Sequence, residues 1–289
     1  MKASMFDHNE TLSEAIKRNV HDALFEDLGK IDWTAQLVPA DRRIKAQLTV
    51  RENAVLCGIP WFEECLRQCD DKATIKWHYM DGELMTANNV VCDIEANARA
   101  LMSAERPALN FLQTLSATST NTRQYVEAIT GASPNPKGCA ILDTRKTLPG
   151  LRHAQKYAVR IGGGRNHRHA LWDGILIKEN HIAAAGGIAE VLTSARALGS
   201  GLDIQIEVEN LDELVQALAA GATSILLDNF SLDDTIKAYE VTHGRAELEV
   251  SGGVNLSTIA AIAMTGVDRI SIGSITKNVS AIDFSMRVL

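Results

Sequence analysis

Apolar positions follow two different rhythms along the chain. Over residues 11–27 they recur every three to four positions, which predicts an amphipathic helix. Short apolar runs come next, separated by breakers such as Asp81-Gly82, and they predict strands. These strands are expected at 44–50, 54–57, 74–80 and 90–95. A helical pattern over 97–116 follows these strands. The chain up to about residue 116 is therefore predicted to form a mainly antiparallel sheet with helices packed on it.

From about residue 139, short apolar runs alternate with helical patterns. The strand candidates are Cys139–Leu142, Gly174–Ile177, Ile204–Val208, Ser224–Leu227, Glu247–Val250 and Arg269–Ile272. Helices are predicted at 188–198, at 211–220 with Asn210 as N-cap and Glu213 completing a capping box, and at 256–265. Because strands and helices alternate, this region is predicted to form a parallel sheet.

All of these strand candidates end in polar or glycine residues. The carboxyl ends of parallel strands meet at one edge, where α/β enzymes keep their chemistry. Six ends that supply reactive groups to one edge favour a closed α/β barrel. An open sheet remains the alternative, because the common barrel has eight strands.

Composition narrows the class of protein. The 289 residues carry a formal net charge of −7, with 46% hydrophobic and 22% charged residues, which is typical of soluble globular proteins. No apolar run approaches the ~20 residues that span a bilayer. The first residues lack the apolar core of a signal peptide, so a cytoplasmic location is expected. The acidity argues against nucleic acid and against anionic membranes as partners.

One stretch of this acidic chain is densely basic. Residues 143–181 hold eight Lys or Arg and four of the eight His residues, which predicts a local pocket for a small, highly charged anion. Arg145, Arg168 and Lys178, with His167 nearby, could bind one or two carboxylates. A solvated loop, or salt bridges to Asp and Glu, is the alternative. The remaining basic residues are expected on helix and loop surfaces: Arg152, Lys156, Arg160 and Arg165.

Acidic and glycine residues complete the predicted edge. Glu207 and Asp228 close neighbouring strand candidates and could hold Mg²⁺ through waters and substrate phosphates, or could instead pair with Lys178 and Arg168. Two segments have the glycine and backbone N–H groups of phosphate-binding turns: Ser251-Gly252-Gly253 and Ser271-Ile272-Gly273. This combination suits the joining of a phosphorylated sugar pyrophosphate to an acidic aromatic compound.

Beyond these individual features, the sequence closely resembles quinolinate phosphoribosyltransferases, which are also called nicotinate-nucleotide pyrophosphorylases (carboxylating). The matching motifs run over nearly the full length. They include ALFEDLGKIDWT (23–34), ARALMSAERPALNFLQTLSATST (98–120), DTRKTLPGLR (143–152), KYAVRIGGGRNHRHALWDGILIKENH (156–181), IEVEN (206–210), ILLDNF (225–230), VSGGVN (250–255) and ISIGSIT (270–276).

The resemblance implies a fold and a reaction. It implies an N-terminal α/β sandwich over 1–118, a six-stranded α/β barrel over 119–277, and a tail of about 278–289 that packs back on the first domain. The implied reaction joins quinolinate to phosphoribosyl pyrophosphate in the presence of Mg²⁺. Its products are nicotinate mononucleotide, pyrophosphate and CO₂, a step of de novo NAD biosynthesis.

The resemblance also implies roles for residues. Catalytic roles fall to Lys146, Lys178, Glu207 and Asp228. The quinolinate carboxylates would be bound, beside Thr144, by Arg145, Lys146, His167, Arg168 and Lys178. Glu207 and Asp228 would bind the ribose and Mg²⁺-pyrophosphate part of the sugar substrate. The phosphate would lie on Ser251, Gly252, Gly253, Ser271, Ile272 and Gly273. Arg106 is expected to reach the active site of a neighbouring subunit, which implies at least a homodimer.

Three alternatives stay open from the residues. They are a related enzyme that acts on a different acid, a barrel lyase that forms a Schiff base at Lys178, and a non-catalytic anion-binding protein. The chain also departs from the family's usual pattern, because Asn97, Ala117 and Ala170 stand where glycine is common. The two alanines require that their positions do not need a positive φ.

Overall fold

The computed structural model describes residues 9–289, so the segment 1–8, on which the signal-peptide expectation partly rests, lies outside the described residues. The chain divides into two compact units. The first holds the described residues up to Thr120, together with Leu148–Gly162 and Asn278–Leu289. The second holds Asn121–Thr147 and Gly163–Lys277. The main difference from the predicted bounds is that 148–162 belongs to the first unit.

The first unit is built on antiparallel strands. They are β1 (Arg43–Val50), β2 (Ala54–Val55), β3 (Thr74–Trp77), β4 (Leu84–Met85), β5 (Val90–Asn97) and, from the tail, β12 (Phe284–Val288). The main sheet has the order β12-β1-β5-β3, while β2 pairs with β4. The helices are α1 (Leu12–Leu28), α2 (Ile59–Cys69), α3 (Ala98–Ile129), which continues into the second unit, and α4 (Arg152–Ile161), with a 3₁₀ turn at Ala35–Leu37.

The predicted first helix is confirmed, and its start has a clear cause. Thr11 Oγ1 accepts a hydrogen bond from the Glu14 backbone N–H at 3.3 Å, and Glu14 Oε2 accepts one from the Thr11 backbone N–H at 2.8 Å. This reciprocal capping box satisfies two backbone donors that the first turn leaves unpaired. Ala15, Val20 and Leu24 form the buried face of the helix.

The long helix extends beyond its predicted end. The pattern indicated 97–116, because the following residues are rich in Ser and Thr, which are weak helix formers. Ser116 is fully buried and its hydroxyl bonds both the N–H and the C=O of Cys57, at 3.0 and 3.2 Å. Thr118 Oγ1 donates to the Thr114 carbonyl at 3.2 Å. These hydroxyls find partners inside the fold, so the helix continues although its apolar pattern stops.

Helix α4 explains why 148–162 belongs to the first unit. Ala154 and Ala158 are fully buried in the core cluster of that unit. The expectation that Lys156 lies on the surface was wrong, because its side chain is also fully buried. Its spacing of four from Arg152 and Arg160 indicated a solvated charged stripe, but the packed face of the helix includes the middle of that stripe.

The second unit is a six-stranded, all-parallel sheet with the order β6-β11-β10-β9-β8-β7, which confirms the predicted mixed α/β fold class. Its strands are β6 (Ala140–Leu142), β7 (Ile175–Ile177), β8 (Ile204–Val208), β9 (Ser224–Asp228), β10 (Glu247–Ser251) and β11 (Arg269–Ser271). Its helices are α5 (Glu179–Ala185), α6 (Ile188–Ala197), α7 (Leu211–Ala219), α8 (Leu232–Thr242), α9 (Ile259–Met264) and α10 (Ser274–Lys277). At the β6 edge, Arg165 forms an isolated parallel bridge with Leu142.

The two faces of this sheet differ in chemistry, because successive side chains of a strand point to opposite faces. Ile206 and Val208 of β8 are fully buried apolar residues, whereas Gln205 and Glu207 alternate with them. Gln205 Nε2 donates to Glu249 Oε2 of β10 at 3.0 Å, across the intervening strand β9. One face of the sheet is therefore apolar and the other carries a polar layer.

Local details test the remaining predictions. The Asn210 cap is confirmed, because its side chain accepts from the Glu213 N–H at 3.0 Å, but the Glu213 carboxylate bonds the Glu209 N–H instead of completing the capping box. The helix predicted at 256–265 begins only at Ile259, after an Asn255–Thr258 turn. The positive-φ non-glycine residues of the described chain do not include Asn97, Ala117 or Ala170.

No helix within residues 9–289 is long and apolar enough to cross a membrane.

Replacing Ser116 with alanine tests the anchor inside α3. The change leaves the Cys57 N–H and C=O without this buried partner, so we expect a loss of about 1–3 kcal/mol in the free energy of unfolding. Thr193→Ala is the control, because this exposed hydroxyl only back-bonds the Ala189 carbonyl in α6, and its effect should stay within ~0.5 kcal/mol. Chemical denaturation measures both. Equal effects would contradict the proposed anchor.

Candidate active site

The carboxyl ends of the six parallel strands lie at one edge of the second unit. The residues of this edge, named the rim below, are Thr144–Lys146, Lys178, Glu207, Asp228, Ser251–Gly253 and Ser271–Gly273. Ladder register aligns Ser251 with Asp228 and Ser271 with Leu142, so the strands end at similar heights. The parallel fold therefore brings together groups that are more than 120 residues apart in sequence.

An ion pair links the second and third strands in chain order. Lys178 Nζ donates to both carboxylate oxygens of Glu207, at 2.9 and 2.7 Å. The Lys178 backbone is held as well, because its N–H donates to His181 Nδ1 at 3.0 Å where α5 begins. Glu207 therefore pairs with Lys178, which was one of the two roles left open for it. Arg168 instead donates from Nη1 to the Gly174 carbonyl at 3.0 Å.

Asp228 belongs to a tightly packed turn. Its carboxylate accepts a hydrogen bond from Asn229 Nδ2 at 3.1 Å, and the Asn229 N–H donates to the Ser251 carbonyl at 2.9 Å. Asn229 has a φ of 56°, a left-handed conformation that asparagine tolerates better than most residues. A Cβ on Gly252 would lie 2.7 Å from Asn229 Cγ. Asn229 therefore joins Asp228 to the Ser251–Gly253 turn, and only glycine fits beside it.

The first and last strands also meet at the rim. A Cβ on Gly273 would lie 3.0 Å from Lys146 Cδ and 3.6 Å from Thr144 Oγ1. Thr276 Oγ1 donates to the Lys146 carbonyl at 2.8 Å. Ser271 and Ile272 are buried, and the Ile272 N–H is already bonded to the Leu142 carbonyl at 2.9 Å. The glycine of this turn thus packs against the lysine that follows the first strand.

Within the basic stretch, the charge of Arg145 acts on Arg168. Burial, and then the positive charge of Arg145, lower the pKa of the Arg168 guanidinium from its ordinary value. Two like charges held close together repel, so an anion with two negative groups would relieve the repulsion. The Arg145 guanidinium is therefore close enough to Arg168 for its charge to be felt there.

The His167 ring is turned into the sheet. Its Nδ1 accepts from the Arg168 backbone N–H at 2.8 Å, and its Nε2 lies 2.9 Å from Gln205 Oε1. The fully buried Asp143 carboxylate accepts from the His167 backbone N–H at 2.9 Å and from Asn166 Nδ2 at 2.6 Å. The sequence analysis gave no role to Gln205 or Asn166, and it grouped Asn229 with the strand ends without a role of its own. Strict alternation of polar residues in IQIEV was the available signal for Gln205.

Arg106 belongs to the first unit, on an exposed position of α3. It lines a cavity of about 360 Å³ together with Arg18, Asp22 and Asn110, all from the same unit. The structure contains one chain, so the expected contribution of Arg106 to a neighbouring subunit stays a prediction.

The residues available for a metal ion are few. Within the described part of the chain, no group of three or more His, Cys, Asp or Glu side chains could hold a metal. Glu207 and Asp228 nevertheless end the adjacent strands β8 and β9. Two carboxylates without further protein ligands suit Mg²⁺, which usually keeps several waters and binds through one or two carboxylates and substrate phosphates. The donor set therefore fits the expected ion.

Comparison with known proteins assigns the chain to a family. The model of the quinolinate phosphoribosyl transferase N-terminal domain matches residues 32–116, and that of the C-terminal domain matches 118–287. A Bacillus subtilis relative, named probable nicotinate-nucleotide pyrophosphorylase (carboxylating), is 37% identical over 274 residues, covering 94% of this chain and 93% of the relative.

This chain belongs to the quinolinate phosphoribosyltransferase family. Solved structures agree with the assignment. The nicotinate-nucleotide pyrophosphorylase from Francisella tularensis has a TM-score of 0.91 and 45% identity, covering 98% of this chain and all (100%) of that one. The enzyme from Ehrlichia chaffeensis has a TM-score of 0.88 and 37% identity, with 100% of both chains covered. The resemblance inferred from the motifs is confirmed, and the chain is an enzyme of this family.

Substituting Gly252 tests the packing of the Ser251–Gly253 turn. Gly252→Ala places a Cβ against the Asn229 amide, so we expect a loss of about 2 kcal/mol or more in the free energy of unfolding. Gly253→Ala is the matched control, because it also has a positive φ but no heavy atom lies within 4 Å of its added Cβ.

The double change Gly252→Ala with Asn229→Gly should recover most of the difference, since it removes the obstructing side chain. Equal losses at the two glycines, or no recovery in the double variant, would contradict this packing.

Proposed function

We propose that this chain transfers the phosphoribosyl group of phosphoribosyl pyrophosphate to quinolinate, with loss of CO₂. The products are nicotinate mononucleotide, pyrophosphate and CO₂, and the step belongs to de novo NAD biosynthesis. The observation that carries the proposal is the rim itself. It combines Arg168, on which the charge of Arg145 acts, with a Lys178–Glu207 ion pair and with a glycine turn that packs on Asn229, the neighbour and hydrogen-bond partner of Asp228.

The basic side of the rim suits quinolinate. This compound carries two neighbouring carboxylates, and Arg145 and Arg168 are close enough for one charge to perturb the other. A guanidinium binds a carboxylate through two parallel hydrogen bonds, so two guanidiniums match two carboxylates. Lys178, Lys146 and Thr144 are assigned to the same substrate by the family resemblance. A mono-acid such as nicotinate would leave part of the arginine repulsion unrelieved.

The acidic side suits the sugar substrate. Departure of pyrophosphate leaves positive charge on the ribose, and the Glu207 and Asp228 carboxylates can stabilise that charge or hold the ribose hydroxyls. The Ser251–Gly253 turn, with Gly252 and Gly253 at φ of 98° and 63°, would hold the phosphate, as would Ser271–Gly273. The pyridine nitrogen then bonds to the ribose. Loss of CO₂ then leaves an electron pair on the ring carbon beside the pyridinium nitrogen, whose positive charge stabilises it, and a proton from solvent takes the place of the carboxylate.

Mg²⁺ is the proposed cofactor. Glu207 and Asp228 would hold it, together with water and substrate oxygens, and it would neutralise charge on the leaving pyrophosphate. The protein's own part is to orient both substrates and to keep opposite charges on opposite sides of the reacting atoms.

The geometry weighs against a Schiff base at Lys178. Its Nζ donates to both oxygens of Glu207, an arrangement that suits an ammonium group. A lysine that attacks a carbonyl must be unprotonated. The proposal also keeps a homodimer in which Arg106 completes the partner's site, a cytoplasmic location, and no nucleic-acid or membrane partner.

Incubation with quinolinate, phosphoribosyl pyrophosphate and Mg²⁺ tests the activity. We expect nicotinate mononucleotide with equal amounts of pyrophosphate and CO₂, and no product when nicotinate replaces quinolinate. Lys178→Ala should lower kcat/KM by about 10²–10³-fold, as expected for loss of one charged group at the reacting centre. Lys237→Ala is the control, because this exposed lysine only pairs with Asp234 on α8. A folded chain that forms no product would overturn the proposal.

Mixing two inactive variants tests the shared site. Arg106→Ala and Lys178→Ala should each be nearly inactive, and subunit exchange should restore about a quarter of full activity, since half of the dimers then hold one intact site. Lys178→Ala mixed with Glu207→Gln is the control and should recover nothing, because both residues belong to the same rim. No recovery in the first mixture after verified exchange would contradict donation of Arg106.

A further inference from the structure

A layer of polar side chains lies next to the rim, two positions before the rim residues along strands β8 and β10. Gln205 precedes Glu207 by two positions on β8, and Glu249 precedes Ser251 by two positions on β10, so each pair shares a face. Glu249 has no exposed surface at all. Its Oε2 accepts from Gln205 Nε2 at 3.0 Å. No step of the proposed reaction uses the buried Glu249 carboxylate.

Both residues of this layer, Gln205 and Glu249, also lie close to the His167 ring. Because His167 Nδ1 accepts from the Arg168 backbone N–H, the proton of the neutral ring lies on Nε2. Nε2 then donates to Gln205 Oε1 at 2.9 Å. Glu249 Oε1 lies 3.6 Å from the same Nε2, and within residues 9–289 it has no hydrogen-bond partner. The imidazole therefore faces a buried carboxylate both directly and through Gln205.

The negative charge of the Glu249 carboxylate is only partly balanced by its neighbours. Arg269 lies nearby, but its Nη1 pairs with Glu247 at 3.0 Å and its Nη2 donates to Ser224 at 2.8 Å. Its Nε is 3.4 Å from Glu249 Oε2 without forming a hydrogen bond. Burying a charge with partial pairing is costly, and apolar residues of similar volume often stabilise a fold better. Packing alone therefore gives no reason for a glutamate at this position.

We infer that Glu249 is a positioning residue for the quinolinate site and that it acts through Gln205 on His167. It holds the imidazole in the Nε2–H form, so that the unprotonated Nδ1 accepts the hydrogen bond from the Arg168 backbone N–H. Arg168, whose guanidinium is under the influence of Arg145, is thereby presented to the substrate. His167 thereby supports the Arg168 end of the clamp. This inference rests on the proposed function.

Nitrogen NMR of histidine in the full-length protein tests the first half. Without substrate, His167, assigned with a His167→Gln variant, should show a protonated Nε2 and an unprotonated Nδ1. Quinolinate should leave this form unchanged. Glu249→Gln should shift the Nε2 signal. Glu247→Gln is the matched control, because it alters a carboxylate on the same strand and face that contacts Arg269 but does not reach His167. A doubly protonated ring after quinolinate is added, or identical spectra for Glu249→Gln and the unmodified protein, would overturn the inference.

Steady-state kinetics tests the second half. Glu249→Gln should raise the KM for quinolinate about tenfold, with kcat changed less than about twofold and the KM for phosphoribosyl pyrophosphate unchanged. Glu249→Leu, which also removes the hydrogen bond from Gln205, should have a larger effect of the same kind. Equal loss in both substrates' KM would indicate a merely structural role and overturn the inference. If the unmodified protein shows the Nε2–H form but no turnover, the proposed function fails while the coupling of Glu249 to His167 stands.

Discussion

The Lys178–Glu207 ion pair is the interaction on which the rest of the site depends. It joins a cation assigned to quinolinate with a carboxylate assigned to the sugar substrate, at 2.7 and 2.9 Å. Before substrates bind, each group neutralises the other, so neither charge stands alone at the rim. Under the proposed function, quinolinate would give Lys178 new anionic partners, and the developing ribose cation would give Glu207 a new positive one. The same pair therefore divides the rim into its basic and acidic sides.

Charge balance extends from the rim into the sheet. One face of the parallel sheet is apolar and fully buried at residues such as Ile206 and Val208, and burial of this kind supplies most of the stability of a fold. The opposite face carries Gln205, Glu249 and Arg269 in a layer of hydrogen bonds and ion pairs. A polar layer is less stabilising than an apolar one. We interpret it as the support that keeps the basic segment 163–168 in place.

Much of this arrangement could be predicted from the sequence. Alternation of apolar strands with helical segments indicated the parallel sheet. Because the ends of parallel strands meet at one edge, the rim residues could be grouped from the sequence alone. The full length of α3 could not be predicted, because Ser116 and Thr118 are sustained there by partners distant in sequence or by back-bonding, which no periodicity reveals. The burial of Lys156 could not be predicted either, because its place in a stripe of charged residues indicated an exposed side chain, whereas it is fully buried.

The inward direction of His167 was beyond sequence reasoning for a related reason. The motif indicated a basic residue near a carboxylate site, but which way the ring points is set by Gln205 and by the backbone of Arg168. The alternation of polar residues in β8 and β10 did hold a signal, because Gln205 and Glu249 share a face with Glu207 and Ser251. Polar residues at alternate positions of an otherwise buried strand indicate that one face of the sheet carries a layer of polar side chains.

A crystal structure of this protein with quinolinate bound would test the central claim most directly. The account predicts that the two carboxylates contact the Arg145 and Arg168 guanidiniums at the rim, with Lys178 Nζ turned from Glu207 toward the ligand and the His167 ring still bonded to Gln205. Quinolinate bound away from these strand ends, or bound there with the Lys178–Glu207 pair and both arginines unengaged, would contradict it.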